Sequence, residues 1–394
     1  MARDRKENGH QRKNSGQRGK HGGYRRKNRN RRGKNSGQRE PNIYSPNSPG
    51  SDPSQFDQIE IILKVCELFL EGMSCSEIVH KMKKNYNVQI SVRDPLKFLR
   101  RAVDLGWLKI HPPGYFRLHT EMRKKFPWLE GLEVVHSTSV KHVARKAAVV
   151  LHRLANNHAQ VKNGKRSIHI GVAGGTLTRE LAREFTQLLR EHTGGWPDEI
   201  VIHGMVSGLK LKDPTADPTA MFLELLEDHP SLQTKLRIVG FPGPGIVDSE
   251  KIDVDSLKNW EDIQTVMAQA EQLDIIVTSA SNWVDEHSTY SRTMKTSQRA
   301  VQTLESAHVR GDILYQPINE NGPIVTDTGV RILTLVELDF LPQFIARGKK
   351  VLVLLGPCEA CRQANPVILK TLLGQKQQLF THLVADSQTV RCAI

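Results

Sequence analysis

Ser167-Ile168-His169-Ile170-Gly171-Val172 runs into Ala173-Gly174-Gly175-Thr176-Leu177-Thr178 and on into an amphipathic stretch from Arg179 to Leu189. The first run is short, apolar and β-rich, which predicts a buried parallel strand. The second is a glycine turn and the third a helix. Glycines let the backbone approach an anion, threonine hydroxyls add donors, and a helix N-terminus supplies unpaired N–H groups at its positive dipole end. The turn is neither a GxGxxG fingerprint nor a Walker sequence, so neither a dinucleotide nor a nucleoside triphosphate is favoured.

Around this unit the same rhythm repeats. Upstream, Val140 to Leu154 places Val143, Ala144, Ala147, Ala148, Val150 and Leu151 on one helical face. Downstream, strands are expected over Glu199 to His203, Lys235 to Val239, Asp274 to Thr278, Lys349 to Leu355 and Thr381 to Ala385. Repeated strand, loop and helix units predict an α/β fold with a doubly wound, mostly parallel sheet and a ligand crevice at the C-terminal ends of its strands. The residues just past those ends are Met205, Ser207 and Gly208, then Ser279 to Asn282, then Gly356 to Glu359. His203 and Asp274 border strand ends, but a satisfied core histidine and a strand-capping aspartate explain them more simply than catalysis does. No catalytic residue is assigned.

Ahead of the sheet, Ile59, Ile62, Leu63, Val65, Cys66, Leu68, Phe69 and Leu70 recur at helical spacing up to Glu71-Gly72. Ser74 with Glu77 forms a capping box for a second helix through about Lys83. After the polar stretch from Lys84 to Gln89, Ser91 can cap a third helix that tolerates Pro95 in its first turn. That helix has Leu96, Leu99, Val103 and Leu105 on one side and Arg93, Lys97, Arg100 and Arg101 on the other. An apolar face turned in and a basic face turned out suit major-groove docking, which makes Ser91, Arg93, Lys97, Arg100 and Arg101 the candidate DNA-binding residues. A hairpin of Leu108 to Ile110 with Tyr115 to Leu118 would add a small wing. The polar stretch between the second and third helices is longer than a tight helix-turn-helix turn.

Most of the formal net charge of +14 resides in the first 40 residues, where Lys and Arg far outnumber Asp4, Glu7 and Glu40. Up to Pro53 the chain is Gly, Asn, Gln, Arg and Ser with almost no aliphatic residues, and KNSGQR occurs at both Lys13 to Arg18 and Lys34 to Arg39. Such a segment cannot bury enough surface to offset its ordering entropy, so it reads as a disordered basic arm that binds phosphates by counterion release. The domain organisation expected is therefore an arm over 1–54, a helix-turn-helix domain over 55–118 and an effector domain over 119–394. No apolar run reaches membrane-spanning length and no signal peptide is evident, which points to the cytoplasm. Of the five cysteines only Cys358 and Cys361 form a CxxC pair. A single pair without a second pair or paired histidines is a weak metal signal, so neither a metal nor a cofactor is expected.

Over roughly Ile59 to the C-terminus the sequence resembles the SorC-type, sugar-binding transcriptional regulators. The resemblance is carried in order by GVAGGTLT, IVIHGMVSGL, GFPGPGIVDSE, DIIVTSAS, the GDIL segment from Gly311 to Leu314, LLGPCEAC and LVAD. It implies an effector domain of the NagB/RpiA/CoA-transferase-like type that binds a phosphorylated sugar and modulates operator binding by a homo-oligomer, a dimer or tetramer. On that resemblance Gly174, Gly175, Thr176 and Thr178 would cradle the phosphate, with Ser207, Gly208 and Ser279 at the crevice. The family's lysine after the last glycine turn is absent, and Arg362 is the nearest cation. The partners implied are DNA and a small effector. Two other readings stay open: a phosphosugar isomerase or deaminase-like enzyme, since those share this fold type, and an RNA-binding protein using its arm. Against the latter, the chain has only 6% aromatic residues and neither RNP-type aromatics nor a GXXG clamp.

Deleting residues 1–50 should weaken non-specific DNA binding and flatten its dependence on salt while leaving discrimination between operator and random DNA largely in place. A salt titration of both affinities checks this, and a collapse of discrimination would mean that the arm reads bases.

Overall fold

The computed structural model describes residues 58–105, 107–108, 113–162, 164–191, 195–208, 219, 221–225, 234–249 and 251–394. The basic arm expected over 1–54 lies outside them, as do Lys109 and Ile110 of the expected wing. The described chain divides into two compact units, one ending at Leu108 and the other beginning after it.

The first unit contains three helices, α1 (Gln58–Leu70), α2 (Cys75–Tyr86) and α3 (Asp94–Asp104). Ile62, Val65, Leu68, Ile78, Met82, Phe98 and Ala102 form its core. α1 stops where Gly72 takes φ +87°, a conformation that costs glycine little. The capping box at α2 forms as read: the Ser74 N–H donates to Glu77 Oε2 (2.8 Å), and the Glu77 N–H lies 3.4 Å from Ser74 Oγ. α2 runs one turn past Lys83 and ends on Asn87 in the left-handed region. The segment 87–93 then separates α2 from α3, with Val88 buried within it.

α3 is rolled relative to expectation. Its inward face is Asp94, Pro95, Phe98 and Ala102, whereas Leu96 (58% exposed), Val103 (43%) and Leu105 (47%) face outward. Phe98 is the reason: the largest apolar side chain of the segment takes the core position, and its i+4 neighbour Ala102 follows it. Ser91 does not cap the helix through its hydroxyl. Arg93 is the N-cap residue and makes no side-chain cap bond, while the Asp94 carboxylate accepts the Ser91 backbone N–H at 2.7 Å.

The second unit begins with α4 (Phe116–Lys125), followed by β1 (Gly131–Val135), α5 (Val140–His158), β2 (Gln160–Lys162), β3 (Lys165–Val172), α6 (Thr176–Glu191), β4 (Glu199–Gly204) and β5 (Lys235–Val239). Further strands are β6 (Ile246–Asp248), β7 (Ile275–Asn282), β8 (Gly311–Ile313), β9 (Gln316–Asn319), β10 (Gly322–Pro323), β11 (Val330–Ile332), β12 (Lys350–Leu355) and β13 (His382–Asp386). The hairpin wing is not formed, because Phe116 to Leu118 open α4. Leu118 and Met122, one helical turn apart, enter the core of the second unit, and the Tyr115 N–H donates to Val134 O at 2.7 Å on the edge of β1.

The main sheet has the order β1-β13-β12-β7-β3-β4-β5, with every neighbouring pair parallel. Its central strands are buried on both faces, so residues alternate between two cores. Val351, Val353 and Leu355 of β12 enter one, while Leu352 and Leu354 enter the other beside α5 and α6. This is the near-continuous apolar run of a doubly wound sheet. The strand order reverses between β3 and β7, and the crevice of such folds opens at that point, outside the carboxyl ends. Among the described residues no helix is long and apolar enough to cross a membrane.

Ser74 is solvent-exposed, so replacing it removes the cap with little change in packing. Ser74→Ala should lower the stability of the helical unit by about 1 kcal/mol and Ser74→Asp should restore it. Urea unfolding followed by far-UV circular dichroism reads the difference, and an unchanged midpoint for the alanine variant would deny the cap any energetic role.

Candidate functional site

The glycine turn sits at the reversal between β3 and β7. The Ala173 N–H donates to Val277 O (2.9 Å), extending the β3–β7 pairing by one bond before the chain turns away. Gly175 has φ +127°, accessible in practice only to glycine. A Cβ there would stand 3.5 Å from Ser279 Oγ and 3.6 Å from the Tyr315 hydroxyl, so two polar atoms converge on the open side of the turn. Thr178 is fully buried, and its hydroxyl donates to Gly175 O at 2.9 Å. It closes the turn and is not among the residues that line the cavity there.

A cavity of about 420 Å³ opens here, lined by Gly174, Gly175 and Thr176 on one side and by Ser279 and Ser281 on the other, a volume suited to a small metabolite. The remaining sequence candidates do not line it. Ser207 is buried, with a hydroxyl that has no partner among the described residues. Gly208 follows it outside the cavity, and Arg362 is exposed on a turn with φ +61°. The arginine that lines the cavity is Arg292, an exposed residue. A second cavity of about 720 Å³ adjoins the first and shares Tyr290 and Tyr315 with it. It lies toward β9 to β11, away from the parallel strand ends.

Asp312 was missed by sequence reasoning. β7 outruns its parallel partners and pairs its end antiparallel with β8, setting Ser281 opposite Asp312. Gly311 makes this approach possible, since a Cβ there would fall 2.0 Å from Ser281 O. The Asp312 carboxyl accepts the Ser281 hydroxyl and lines the cavity. Burial pushes its pKa up to about 7, aided by the negative charge of Asp285 and opposed by the Ser281 hydroxyl and the Tyr315 N–H. A carboxylate within an apolar GDIL run was the available signal.

The β8–β9 hairpin turns on two residues, Leu314 and Tyr315, with φ +54° and +58°. Such a turn prefers Asn-Gly, and bulky residues in the left-handed region each cost about 1–2 kcal/mol. The surrounding structure offsets that strain, and the turn brings the Tyr315 hydroxyl to the glycine turn.

The far wall is the loop after β12, Gly356 to Ala360, fixed by the Asn365 side chain donating to Gly356 O at 2.9 Å. Burial pushes the Cys358 thiol up to about 11, so the free thiol is protonated at neutral pH and is not an activated nucleophile. Asp285 and His287 also line the cavity.

His203 and Asp274 are structural. Asp274 lies at the N-terminal end of β7, the opposite end from the crevice, where it accepts the His169 N–H (3.0 Å) and pairs with Lys349 (2.7 Å). His203 is buried against His169 at 2.9 Å. Burial, and then the neighbouring imidazole, lower its pKa to about 4, which keeps it neutral.

On α3, Arg93, Lys97, Arg100 and Arg101 are all exposed, as is Ser91 before it. Lys97 pairs with Asp94 at 2.9 Å. The outward face therefore combines these cations with Leu96 and Val103.

No protein-family model and no curated protein matches the chain. Among solved structures it is similar to the full-length sorbitol operon regulator SorC from Klebsiella pneumoniae, with TM-score 0.55 and 17% identity over 86% of this chain and 99% of that one. A transcriptional regulator from Streptococcus pneumoniae matches with TM-score 0.52 and 15% identity over 71% of this chain and 95% of that one. A DeoR family transcriptional regulator from Listeria monocytogenes matches with TM-score 0.51 and 15% identity, covering 71% and 99%. At these identities the likeness is one of fold: the chain has the mostly parallel α/β architecture of these regulators, with a helical N-terminal part consistent with a helix-turn-helix.

Proposed function

We propose that this protein is a metabolite-responsive, sequence-specific DNA-binding regulator, with a helix-turn-helix domain that ends near Leu108 and not at residue 118, an effector domain after it and a homo-oligomeric active form. The carrying observation is the cavity at the β3–β7 reversal, which the glycine turn and the start of α6 line together with Ser279 and Arg292. Backbone N–H groups, a helix dipole and one guanidinium suit a small anion such as a sugar phosphate. Asp312 is compatible with an anion only while protonated, and its burial favours that state. The fold shared with transcriptional regulators supports the DNA-binding half of the reading. Coupling follows if the effector binds two arrangements of the oligomer with different affinity.

Asp312 also favours a second reading. A crevice carboxyl with a pKa near 7 is poised for proton transfer, as a phosphosugar isomerase would need. Incubation with hexose and pentose phosphates followed by NMR separates the two: isomerised product supports an enzyme, and unchanged sugar with an altered DNA affinity supports a regulator.

Genome-wide mapping of bound sites should yield operators, and Arg100→Ala combined with Arg101→Ala should weaken operator binding about tenfold or more with the fold intact. Unchanged gel-shift affinity would remove α3 from the reading role. For Asp312, the folded chain holds its proton to about pH 7 whereas the unfolded chain releases it near the ordinary value of 3.8, so stability falls as pH rises between those values. Moving from about pH 5 to about pH 8, the wild type should lose stability relative to Asp312→Asn by at most about 2.7 kcal/mol. A pH-independent difference in urea unfolding would contradict the neutral carboxyl.

A further inference from the structure

β7 and β12 are adjacent parallel strands, and the loops that follow them meet at one end of the crevice. Asp285 and His287 come from the first loop, Cys358 and Cys361 from the second. Each offers one donor atom, and all four atoms lie within 4.8 Å of one another. The CxxC segment is a tight turn: the Arg362 N–H donates to Cys358 O (2.9 Å) and the Cys358 N–H to Gln363 O (2.8 Å). On the other loop, Asp285 Oδ1 accepts the His287 backbone N–H at 2.9 Å and stands 3.4 Å from His287 Nδ1. Turn bonds from the Asp285 N–H to Asn282 O and from the Ser288 N–H to Asp285 O hold that loop at both ends of the carboxylate.

Two sulfurs, an imidazole and a carboxylate, converging from two loops, form a donor set that hard cations such as Mg²⁺ and Ca²⁺ do not select and that Zn²⁺ does. We propose that Asp285, His287, Cys358 and Cys361 form a binding site for a thiophilic divalent cation, with Zn²⁺ the best fit. Ligands at about 2.0–2.3 Å from a tetrahedral zinc lie roughly 3.3–3.8 Å apart, so the cluster must contract by about 1 Å. His287 and Cys361 are exposed and can make that adjustment. The bound ion ties the loop after β7 to the loop after β12. Metal occupancy then fixes the width of the crevice at the Cys358 end and displaces the two thiol protons, with the charges of the thiolates and of Asp285 balancing that of the ion. Sequence reading gave this pair little weight because its partners lie some 70 residues upstream, in a loop with no metal spacing of its own.

The experiment uses full-length protein, reduced, stripped with chelator and titrated with Co²⁺. The expected result is one equivalent bound per chain with the intense near-ultraviolet thiolate-to-cobalt absorption and the visible bands of a tetrahedral ion, both abolished by Zn²⁺. Cys358→Ser and Cys361→Ser should each remove or strongly reduce the thiolate absorption. His287→Ala should weaken binding about tenfold or more, and a variant with Ser at Cys66, Cys75 and Cys392 should bind as the wild type does. Circular dichroism checks that each variant is folded; Cys361→Ser, at an exposed position, keeps the test decisive if Cys358→Ser misfolds. Absence of the thiolate absorption in wild-type protein, its persistence in Cys361→Ser, or recovery of Cys358 and Cys361 as a disulfide that binds no metal after reduction would each overturn the proposal. The readout is metal binding alone, so it stands or falls independently of whether an effector binds.

Discussion

The pairing of β3 with β7 is the contact on which the remainder depends. Only three residue pairs join them, Ile170 with Ile275, Gly171 with Ile276 and Val172 with Val277, yet this is where the winding of the sheet reverses. Because helices cross to opposite faces on the two sides of this seam, nothing covers the strand ends directly above it, and an opening is unavoidable. Gly171 keeps the seam close to its surroundings, as a Cβ there would stand 2.4 Å from Met205 Sδ. Polar groups from three loops gather above it because each continues a strand whose position the seam fixes.

Much of this architecture was legible in the sequence, since buried parallel strands leave an unmistakable apolar signature. Lys235 to Val239 was read to the residue, and the other expected strands were displaced by a few residues at most, apart from the extension of β7 to Asn282. What escaped was structure without that signature: β1, five residues at one edge of the sheet, and the antiparallel β8 and β9, three and four residues long. The site was partly legible for the same reason. Gly174, Gly175 and Thr176 follow a strand end and Ser279 lies within the extended β7, and all four reach the cavity, whereas Asp312 arrives through a hairpin whose register no periodicity encodes.

The errors have physical causes too. On α3 two apolar stripes compete, one through Leu96, Leu99 and Val103 and one through Phe98 and Ala102, and only packing against α1 and α2 decides between them. The wing failed because Tyr115 to Leu118 satisfy an alternation over four residues but a helical period once Met122 is included. Thr178 shows a subtler limit: the threonine type was right for the turn, but its hydroxyl serves the backbone carbonyl of Gly175 and not the cavity.

The strained Leu314–Tyr315 turn has an implication for the evolution of ligand choice. Tyr315, together with Tyr290, is the partition between two neighbouring chambers. A partition made of side chains can be removed by one codon change without disturbing the sheet. Relaxing the turn to Asn-Gly would release backbone strain and take away half of the dividing wall at the same time. Selection for a bulkier molecule and selection for a sturdier fold would therefore act in the same direction at these two positions.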